Sequence, residues 1–297
     1  MIIPKKKLID LDECVLRALE LFSKTTVPAL KITFKHPLVV GSGNAAVTGK
    51  ILFQDRDAVF ADEGTYVQKL KTIKRIDGAV LISASGGKHA PIIAKDLRKR
   101  KIKTVLLTNN KNAAAAEYAD KVYVFPKQPE PYTYNTSTYM GMILAKTKED
   151  PKKILKFLQK FKKKIPHHLH NYTAFFLIVP SEFDLLREMF VTKFNELFGA
   201  KVSGRVCTPE QTKHAKTVVP SDRELFISFG YKNKLFGKHR LNLPLPPHAY
   251  YAAMMAAGYY VIGHIQKQHP PYFKENIERY VKETSKVFGE KIKVIVE

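Results

Sequence analysis

The segment richest in chemical groups is the turn ISASGGKHAP at residues 82–91. It carries the hydroxyls of Ser83 and Ser85, two glycines and the Lys88 ammonium group, between an apolar run and a helical pattern. The N–H groups and the positive dipole end at a helix start favour an anion. Capping requires only one hydroxyl. The turn therefore predicts a phosphate site, with a serine-rich cap as the alternative. It is not a nucleotide-binding P-loop, because Ile82 and His89 replace its first glycine and its Ser/Thr.

A second turn, GSGNAAVTG at residues 41–49, follows the apolar run LVV. Gly41, Gly43 and Ala46 fit the dinucleotide-binding pattern G-x-G-x-x-A, and Asp62 stands about 20 residues further on, where such folds bind a ribose. Any tight turn that leads into a helix also favours glycine for steric reasons. A nicotinamide-dependent oxidoreductase therefore stays among the alternatives.

A third cluster, TYNTSTYMG at residues 133–141, begins a helical pattern. Thr136, Ser137 and Thr138 are poor residues for a helix interior and good ones for its start. They either cap this helix or line one pocket together with the 83–88 turn.

Short apolar runs alternate with helical stretches along the chain, which predicts α/β architecture with parallel sheets covered by helices. The first half is predicted to contain helices at 10–23, 45–54, 65–74, 91–101, 112–118 and 135–146, and strands at 38–40, 58–61, 78–83, 104–108 and 121–126. The second half is predicted to contain strands at 173–179 and 224–229 and a helix at 181–197.

The two halves end alike, in a strand, a proline-rich turn and a helix of Tyr, Ala, Met and Gly. This similarity indicates a duplicated α/β unit. We predict a first lobe with an N-terminal helix at 1–150, a basic helix and linker at 151–170, and a second lobe with C-terminal helices at 171–297.

Composition narrows the class of protein. The chain has 297 residues, 45% of them hydrophobic, which excludes bulk disorder. Two cysteines are too few for a disulfide framework, so a cytoplasmic location is expected. The run 249–263 between His248 and His264, which consists mostly of Ala, Tyr, Met and Gly, is shorter than the roughly 20 residues of a membrane span, so no membrane association is expected.

The net charge of +23 would attract any polyanion. Much of it lies at 150–170, where Ile154, Leu158 and Phe161 recur at helical spacing among seven lysines. The simplest interpretation is a solvated helix face. Nucleic acid is an unlikely partner by this reasoning, because Phe157 and Phe161 do not form a stacking array. The histidines at 167, 168 and 170 have no acidic or cysteine neighbour, so no metal site is predicted.

These motifs together resemble the sugar isomerase (SIS) family, over roughly residues 36–285. The similarity is to its two-lobed members, typified by phosphoglucose/phosphomannose isomerases and the isomerase half of glucosamine-6-phosphate synthase. VLISASGGKHAP is similar to the family's S-x-S-G-x-T phosphate loop, with Lys88 in the place of the threonine. The resemblance implies two tandem lobes of flavodoxin-like three-layer αβα type. The phosphate or sugar contacts that it implies are Gly43, Asn44, Ser83, Ser85, Gly86, Lys88 and Ser137.

In the second lobe, residues 191–219 resemble the family's catalytic stretch. Lys193 and Glu196 fall on a K-x-x-E pattern whose glutamate transfers the proton, and His214 falls on the histidine assigned to ring opening. The spacing of 18 residues between Glu196 and His214 is two longer than the family's, and Ala215 follows where Asn or Gly is usual. An exposed Lys193–Glu196 pair and a Glu210–His214 surface pair are the structural alternatives.

The resemblance implies an aldose–ketose isomerase of hexose 6-phosphates that works through a cis-enediol, as a homodimer, without metal or nucleotide cofactor. A protein that binds a phosphosugar without turnover is the alternative, favoured by the departures at Ala45, Lys88 and Ala215. The third possibility is the oxidoreductase.

Overall fold

The computed structural model describes residues 8–214 and 217–296, which form two compact units. The five-stranded unit consists of Lys24–Gln128 and Ser137–Lys148. The four-stranded unit consists of residues 8–23, 129–136 and 149–296 of the described chain. This division differs from the predicted boundaries, because the first helix and residues 129–136 cluster with the later sheet.

The five-stranded unit is a parallel sheet in the order β2-β1-β3-β4-β5, the strand order of flavodoxin-like folds. Its strands are β1 (Pro37–Val40), β2 (Val59–Ala61), β3 (Gly78–Ile82), β4 (Thr104–Thr108) and β5 (Lys121–Val124). Its helices are α2 (Asn44–Phe53), α3 (Tyr66–Thr72), α4 (His89–Lys99) and α5 (Thr136–Thr147). The first residue of α5, Thr136, is assigned to the four-stranded unit.

The core of this unit lies between the sheet and its helices. Leu38, Leu81 and Leu106 of the three central strands are buried and cluster with Ala94 and Leu97 of α4. Strands buried on both faces read as continuous apolar runs, which is why LVV, GAVLI and TVLL are apolar throughout.

The four-stranded unit contains a parallel sheet in the order β10-β9-β7-β8 and a short antiparallel pair, β6 with β11. The strands are β6 (Glu130–Pro131), β7 (Ala174–Ile178), β8 (Ser203–Cys207), β9 (Glu224–Phe229), β10 (His239–Leu243) and β11 (Ile295–Val296). The helices are α1 (Leu11–Lys24), of which all but Lys24 belong to this unit, α6 (Pro151–Phe161), α7 (Arg187–Phe198), α8 (Pro209–Lys213), α9 (Tyr251–Gln268) and α10 (Tyr272–Phe288).

Helix α9 is the central helix of this unit and is buried on nearly every side. Its glycines allow close packing: a Cβ on Gly258 would lie 2.3 Å from the Phe190 ring, and one on Gly263 would lie 2.1 Å from the Asp12 nitrogen. The uncharged run that composition marked as too short for a membrane span is therefore the core helix of this unit. Among the described residues, no helix has the length and apolar character needed to cross a membrane.

The predicted α/β class with two parallel sheets is confirmed. The amphipathic pattern of the basic segment is also confirmed, since Ile154, Leu158 and Phe161 are buried along α6. Two helices were predicted too long, since 65–74 is α3 at Tyr66–Thr72 and 112–118 is a 3₁₀ helix at Ala114–Tyr118, and the predicted 181–197 helix divides into a 3₁₀ helix at Ser181–Leu186 and α7. Phe183 has non-helical backbone angles, which interrupts the predicted 181–197 helix.

Candidate functional site

The strand order of the five-stranded unit selects one position on its sheet. The chain passes from β1 to β2 on one side and from β3 to β4 on the other, and β1 and β3 are neighbours. Ligands of open parallel sheets bind beyond the carboxyl ends of strands at such a switch point. The turns that leave β1 and β3, residues 41–43 and 83–88, are therefore the candidate binding turns.

The 83–88 turn folds around its own serines. The Gly86 N–H donates to Ser83 Oγ over 3.2 Å, and the Gly87 N–H donates to Ser85 Oγ over 3.2 Å. Each serine oxygen is an acceptor in these bonds, so its hydroxyl hydrogen remains able to donate to another acceptor. The turn thus presents two hydroxyl donors whose oxygens are held in place.

Residues at the end of β4 fix this turn from behind. Thr108 Oγ1 donates to the Ala84 carbonyl over 2.9 Å, and Asn110 Nδ2 donates to the Ser85 carbonyl over 3.0 Å. Gly86 has φ +62°, and a Cβ there would lie 2.3 Å from the Ala113 Cβ. Gly86 is therefore required both by its backbone conformation and by the lack of space.

Lys88 ends the turn with φ 55°, an uncommon value for a residue with a side chain. It is the N-cap of α4, and its side chain makes no capping hydrogen bond. A cation thus stands at a helix start, where the positive end of the dipole already favours an anion. This is the arrangement predicted for the turn, and phosphate binding there remains a prediction.

The dinucleotide alternative loses its ribose ligand in the structure. The Asp62 carboxylate accepts hydrogen bonds from the Gly64 N–H over 3.0 Å and from the Thr65 N–H and hydroxyl over 2.9 and 2.7 Å. The bond from the Thr65 hydroxyl is the main cause that lowers the pKa of Asp62. This carboxylate shapes the turn before α3, so its local role explains its presence without a nucleotide.

The remaining predicted contacts of this unit are largely buried. Ser137 is fully buried, and its Oγ accepts the Gln128 N–H over 3.3 Å. Asn44 is 7% exposed and begins α2, whose N-cap Gly43 has φ 54°. The structure assigns these residues to turns and helix starts and leaves their ligand contacts as predictions.

Lys193 and Glu196 form a close pair on one face of α7 in the four-stranded unit. Lys193 Nζ lies 2.5 Å from Glu196 Oε2 and donates to the Thr133 carbonyl over 2.7 Å. It also lies 5.6 Å from the centroid of the Tyr259 ring. The Lys193 side chain is fully buried, whereas that of Glu196 is 25% exposed. The pair is therefore not the exposed surface pair considered as the alternative.

Burial raises the pKa of Glu196, and the Lys193 ammonium opposes this by stabilising the carboxylate. A carboxyl group whose pKa is raised toward neutrality is suited to take up and return a proton. The pairing also explains how a fully buried lysine is tolerated, because its charge faces a carboxylate and a carbonyl oxygen.

Glu196 opens onto a cavity of about 580 Å³, within the usual size range of small-molecule sites. One wall is the end of α7 with the turn that follows it, and the other is α10, which contributes Tyr272, Phe273 and Tyr280. The remaining lining residues are Thr133, Thr192, Asn195, Leu197, Phe198, Gly199, Ala200, Lys201, Asn276 and Ile277.

His214 lies elsewhere in the same unit. It follows α8 beyond the carboxyl end of β8 and is exposed. The Glu210 carboxylate accepts a hydrogen bond from the Ser181 hydroxyl and lies 3.7 Å from Lys213 Nζ. Within the described part of the chain, Lys193 is paired with Glu196, which lines the cavity, whereas neither Lys193 nor His214 is part of that lining. Ala215, the other departure noted there, lies outside the described residues.

Sequence reasoning missed two parts of this cavity. Thr133 has φ +80° and contributes its backbone carbonyl, a group that every residue type carries. Tyr272, Phe273 and Tyr280 of α10 contribute aromatic rings to which no sequence pattern assigned a role. Residues 8–214 and 217–296 contain no group of three or more His, Cys, Asp or Glu side chains arranged to hold a metal ion.

No protein-family profile matches this chain, and no curated protein matches it by sequence. Solved structures do match. Glucosamine-6-phosphate deaminase from Thermotoga maritima is 16% identical, with a TM-score of 0.61 over 88% of this chain and 94% of that one. Tagatose-6-phosphate ketose/aldose isomerase from Escherichia coli is 12% identical, with a TM-score of 0.59 over 87% and 86%. The C-terminal domain of glucosamine-fructose-6-phosphate aminotransferase from Francisella tularensis is 10% identical, with a TM-score of 0.57 over 89% and 94%. The resemblance to the sugar isomerase family is thereby confirmed at the level of the fold: this chain has the fold of the phosphosugar isomerases and SIS-domain proteins.

Proposed function

We propose that this protein is an aldose–ketose isomerase that acts on a phosphosugar of the hexose 6-phosphate class. The observation that carries the proposal is the Lys193–Glu196 pair at the edge of a ligand-sized cavity. A solvated surface pair would explain neither the complete burial of Lys193 nor the raised pKa of Glu196.

The reaction requires one proton to move between adjacent carbons through a cis-enediol. In the proposed mechanism the Glu196 carboxylate takes the proton from C2 of the aldose, while a water molecule donates a proton to the carbonyl oxygen at C1, which gives the cis-enediol and hydroxide. The Glu196 carboxylic acid then returns its proton to C1, and the hydroxyl at C2 gives its proton to that hydroxide and becomes the ketose carbonyl. The Lys193 ammonium holds the carboxylate in place between these steps. His214 keeps the ring-opening role that the family resemblance implies.

The five-stranded unit is proposed to bind the phosphate group. Ser83, Ser85 and Lys88 provide two hydroxyl donors and a cation at the start of α4. Binding energy from a phosphate distant from the reacting carbons can be used to position them. Contacts by Gly43, Asn44, Gly86 and Ser137, and the homodimer, are carried over from the family resemblance as further parts of the proposal.

A protein that binds a phosphosugar without turnover is the second candidate. It is favoured by the exposed position of His214, because isomerisation of a cyclic sugar needs a second proton-transfer group to open the ring.

Deuterium exchange separates the two candidates. The protein is incubated in D₂O with glucose, mannose, fructose and glucosamine 6-phosphates, and with pentose phosphates, and deuterium is followed by NMR at C2 of the aldoses and at C1 of the ketoses. We expect exchange into at least one of them and its loss in Glu196→Gln. Ligand-induced thermal stabilisation with no exchange above that of Glu196→Gln would select the binding protein. Neither stabilisation nor exchange would contradict both.

A further inference from the structure

Helix α6 and the 3₁₀ helix Lys162–Lys164 that follows it carry the most concentrated charge of the chain. Residues 151–170 contain no Asp or Glu. All seven lysines of this segment are exposed. We call these lysines the basic face: Lys152, Lys153, Lys156, Lys160, Lys162, Lys163 and Lys164.

The basic face is built on a fixed support. Ile154, Leu158 and Phe161 on the opposite side of α6 are buried to 4% exposure or less, and the Phe161 ring lies 6.4 Å from the Tyr260 ring of α9. The Asp150 carboxylate caps the helix by accepting the Lys152 N–H over 2.8 Å. The lysines are therefore displayed on a helix that is already formed and anchored.

Among the described residues, no carboxylate neutralises the charges of this face. Some lysines elsewhere do form ion pairs, as in Lys146–Asp55 at 2.7 Å and Lys267–Asp12 at 2.6 Å. By contrast, no ammonium group of the basic face has a carboxylate within 4.0 Å among the residues that the structure describes. Like charges four residues apart on a helix, such as Lys152 and Lys156, repel each other. An external anion with regularly spaced charges would remove this repulsion.

We propose that the basic face binds the phosphate backbone of double-stranded nucleic acid. Phosphates along a duplex form a dense row of negative charge, and lysines that neutralise them release counterions. The basic face fits such a row, because α6 alone is about 16 Å long and places lysines along its exposed side.

The structure favours this partner over two others. A helix that inserts into an anionic membrane needs an apolar face at the surface, and the apolar residues of α6 are buried in the four-stranded unit. Single-stranded nucleic acid is bound by stacking bases on exposed rings, and Phe157 and Phe161 pack against each other at 5.2 Å, with Phe161 buried. The sequence disfavours nucleic acid as a partner because the basic segment has no array of stacking rings. The lack of such an array excludes only the binding of single strands.

The proposal is tested with the full chain and two fluorescein-labelled DNA duplexes of unrelated sequence. Binding is measured by fluorescence anisotropy between about 50 and 200 mM salt. The variant replaces Lys152, Lys156, Lys160 and Lys163 by Gln. The control makes the same replacement at four exposed lysines on other elements, Lys71, Lys74, Lys232 and Lys234.

We expect equal affinity for both duplexes, since phosphate contacts carry no sequence information. The slope of log K against log salt should fall by about 0.9 per lost contact, so by roughly 3 to 4 in the variant, with affinity reduced at least tenfold. The control should retain the slope of the unmodified protein.

Three results would overturn the proposal. The first is no salt-dependent binding by the unmodified protein. The second is an equal loss in the variant and the control, which would assign binding to net charge rather than to this face. The third is tighter, lysine-dependent binding to vesicles of phosphatidylcholine and phosphatidylserine than to either duplex, which would assign the face to a lipid surface. None of these results depends on isomerase activity.

Discussion

The two units hold their candidate functional groups in opposite ways. In the five-stranded unit, the 83–88 turn presents serine hydroxyls and Lys88 at partly exposed positions, and side chains at the end of β4 hold this turn by donating to its carbonyl groups. In the four-stranded unit, Lys193 is fully buried and meets Glu196 inside the protein.

In the proposed function, this difference separates phosphate binding from proton transfer. A partly exposed turn with donors and no carboxylate among residues 82–91 suits a group that keeps its charge, such as a phosphate. Burial raises the pKa of the Glu196 carboxyl group, which suits a group that takes up and returns a proton. Variants in the two units should therefore alter different observables.

The largest effect is expected from Glu196→Gln. Because the amide can neither accept nor return the proton, deuterium incorporation at C2 should fall by about 10²–10⁴-fold. Ligand-induced thermal stabilisation should be unchanged, because the turn of the five-stranded unit is intact. Glu188→Gln, in the first turn of the same helix, is the control and should retain exchange. Equal loss of binding and exchange in Glu196→Gln would remove the distinction between the units.

Gly86→Ala should destabilise the five-stranded unit by about 3 kcal/mol. The left-handed backbone costs about 1–2 kcal/mol for a residue with a Cβ, and the close approach to Ala113 adds an overlap of similar size. Urea unfolding measures the change. Gly199→Ala in the four-stranded unit is the matched control, since Gly199 has φ +55° and nothing within 4 Å of the added Cβ. Gly199→Ala should lower the free energy of unfolding only by the part that comes from the backbone conformation. Equal losses in the two variants would show that the close contact with Ala113 is relieved at little cost in free energy.

Ser83→Ala should weaken phosphosugar binding about tenfold, the effect of losing one hydrogen bond to a charged group. The reaction rate of bound substrate should be unchanged, so KM rises while kcat is retained. Titration calorimetry with the sugar phosphate and with the same sugar lacking phosphate measures the contribution of the anion. A fall in kcat without a change in KM would place Ser83 in the proton-transfer step instead.

The smallest expected effect is a shift in the pH dependence of deuterium exchange. Because burial raises the pKa of Glu196, exchange should require a pH above the ordinary range of a carboxyl group. Lys193→Met removes the cation that stabilises the carboxylate, so the acid limb of the exchange profile should move to still higher pH. Lys88→Met is the matched control in the other unit. It should leave the limb in place and weaken binding, and a shift in Lys88→Met of the same size as in Lys193→Met would contradict this assignment.

Much of the five-stranded unit could be predicted because its signals are local. LVV, GAVLI and VLL are apolar runs bounded by turn or polar residues, and all five of its strands begin within one residue of the predicted position. The boundary between the units could not be predicted from the sequence. Helix α1 belongs to the four-stranded unit because its Asp12 packs against Gly263 of α9, and these two residues are 251 positions apart in the sequence. Strand β8 also has no apolar pattern: it contains Ser203, Gly204 and Arg205, and a Cβ on Gly204 would lie 2.0 Å from the Phe194 ring.

The sequence by itself determined the α/β class, the serine and glycine turn after β3, the amphipathic pattern of α6 and the spacing that places Lys193 and Glu196 on one helix face. These features depend on neighbouring residues and on the periods of strands and helices. Only the tertiary structure decided that Lys193 is buried, that the Thr133 carbonyl holds it, and that Asp62 is engaged by its own turn. Burial and long-range hydrogen bonds depend on which elements pack together, and the type of a residue does not reveal its distant neighbours.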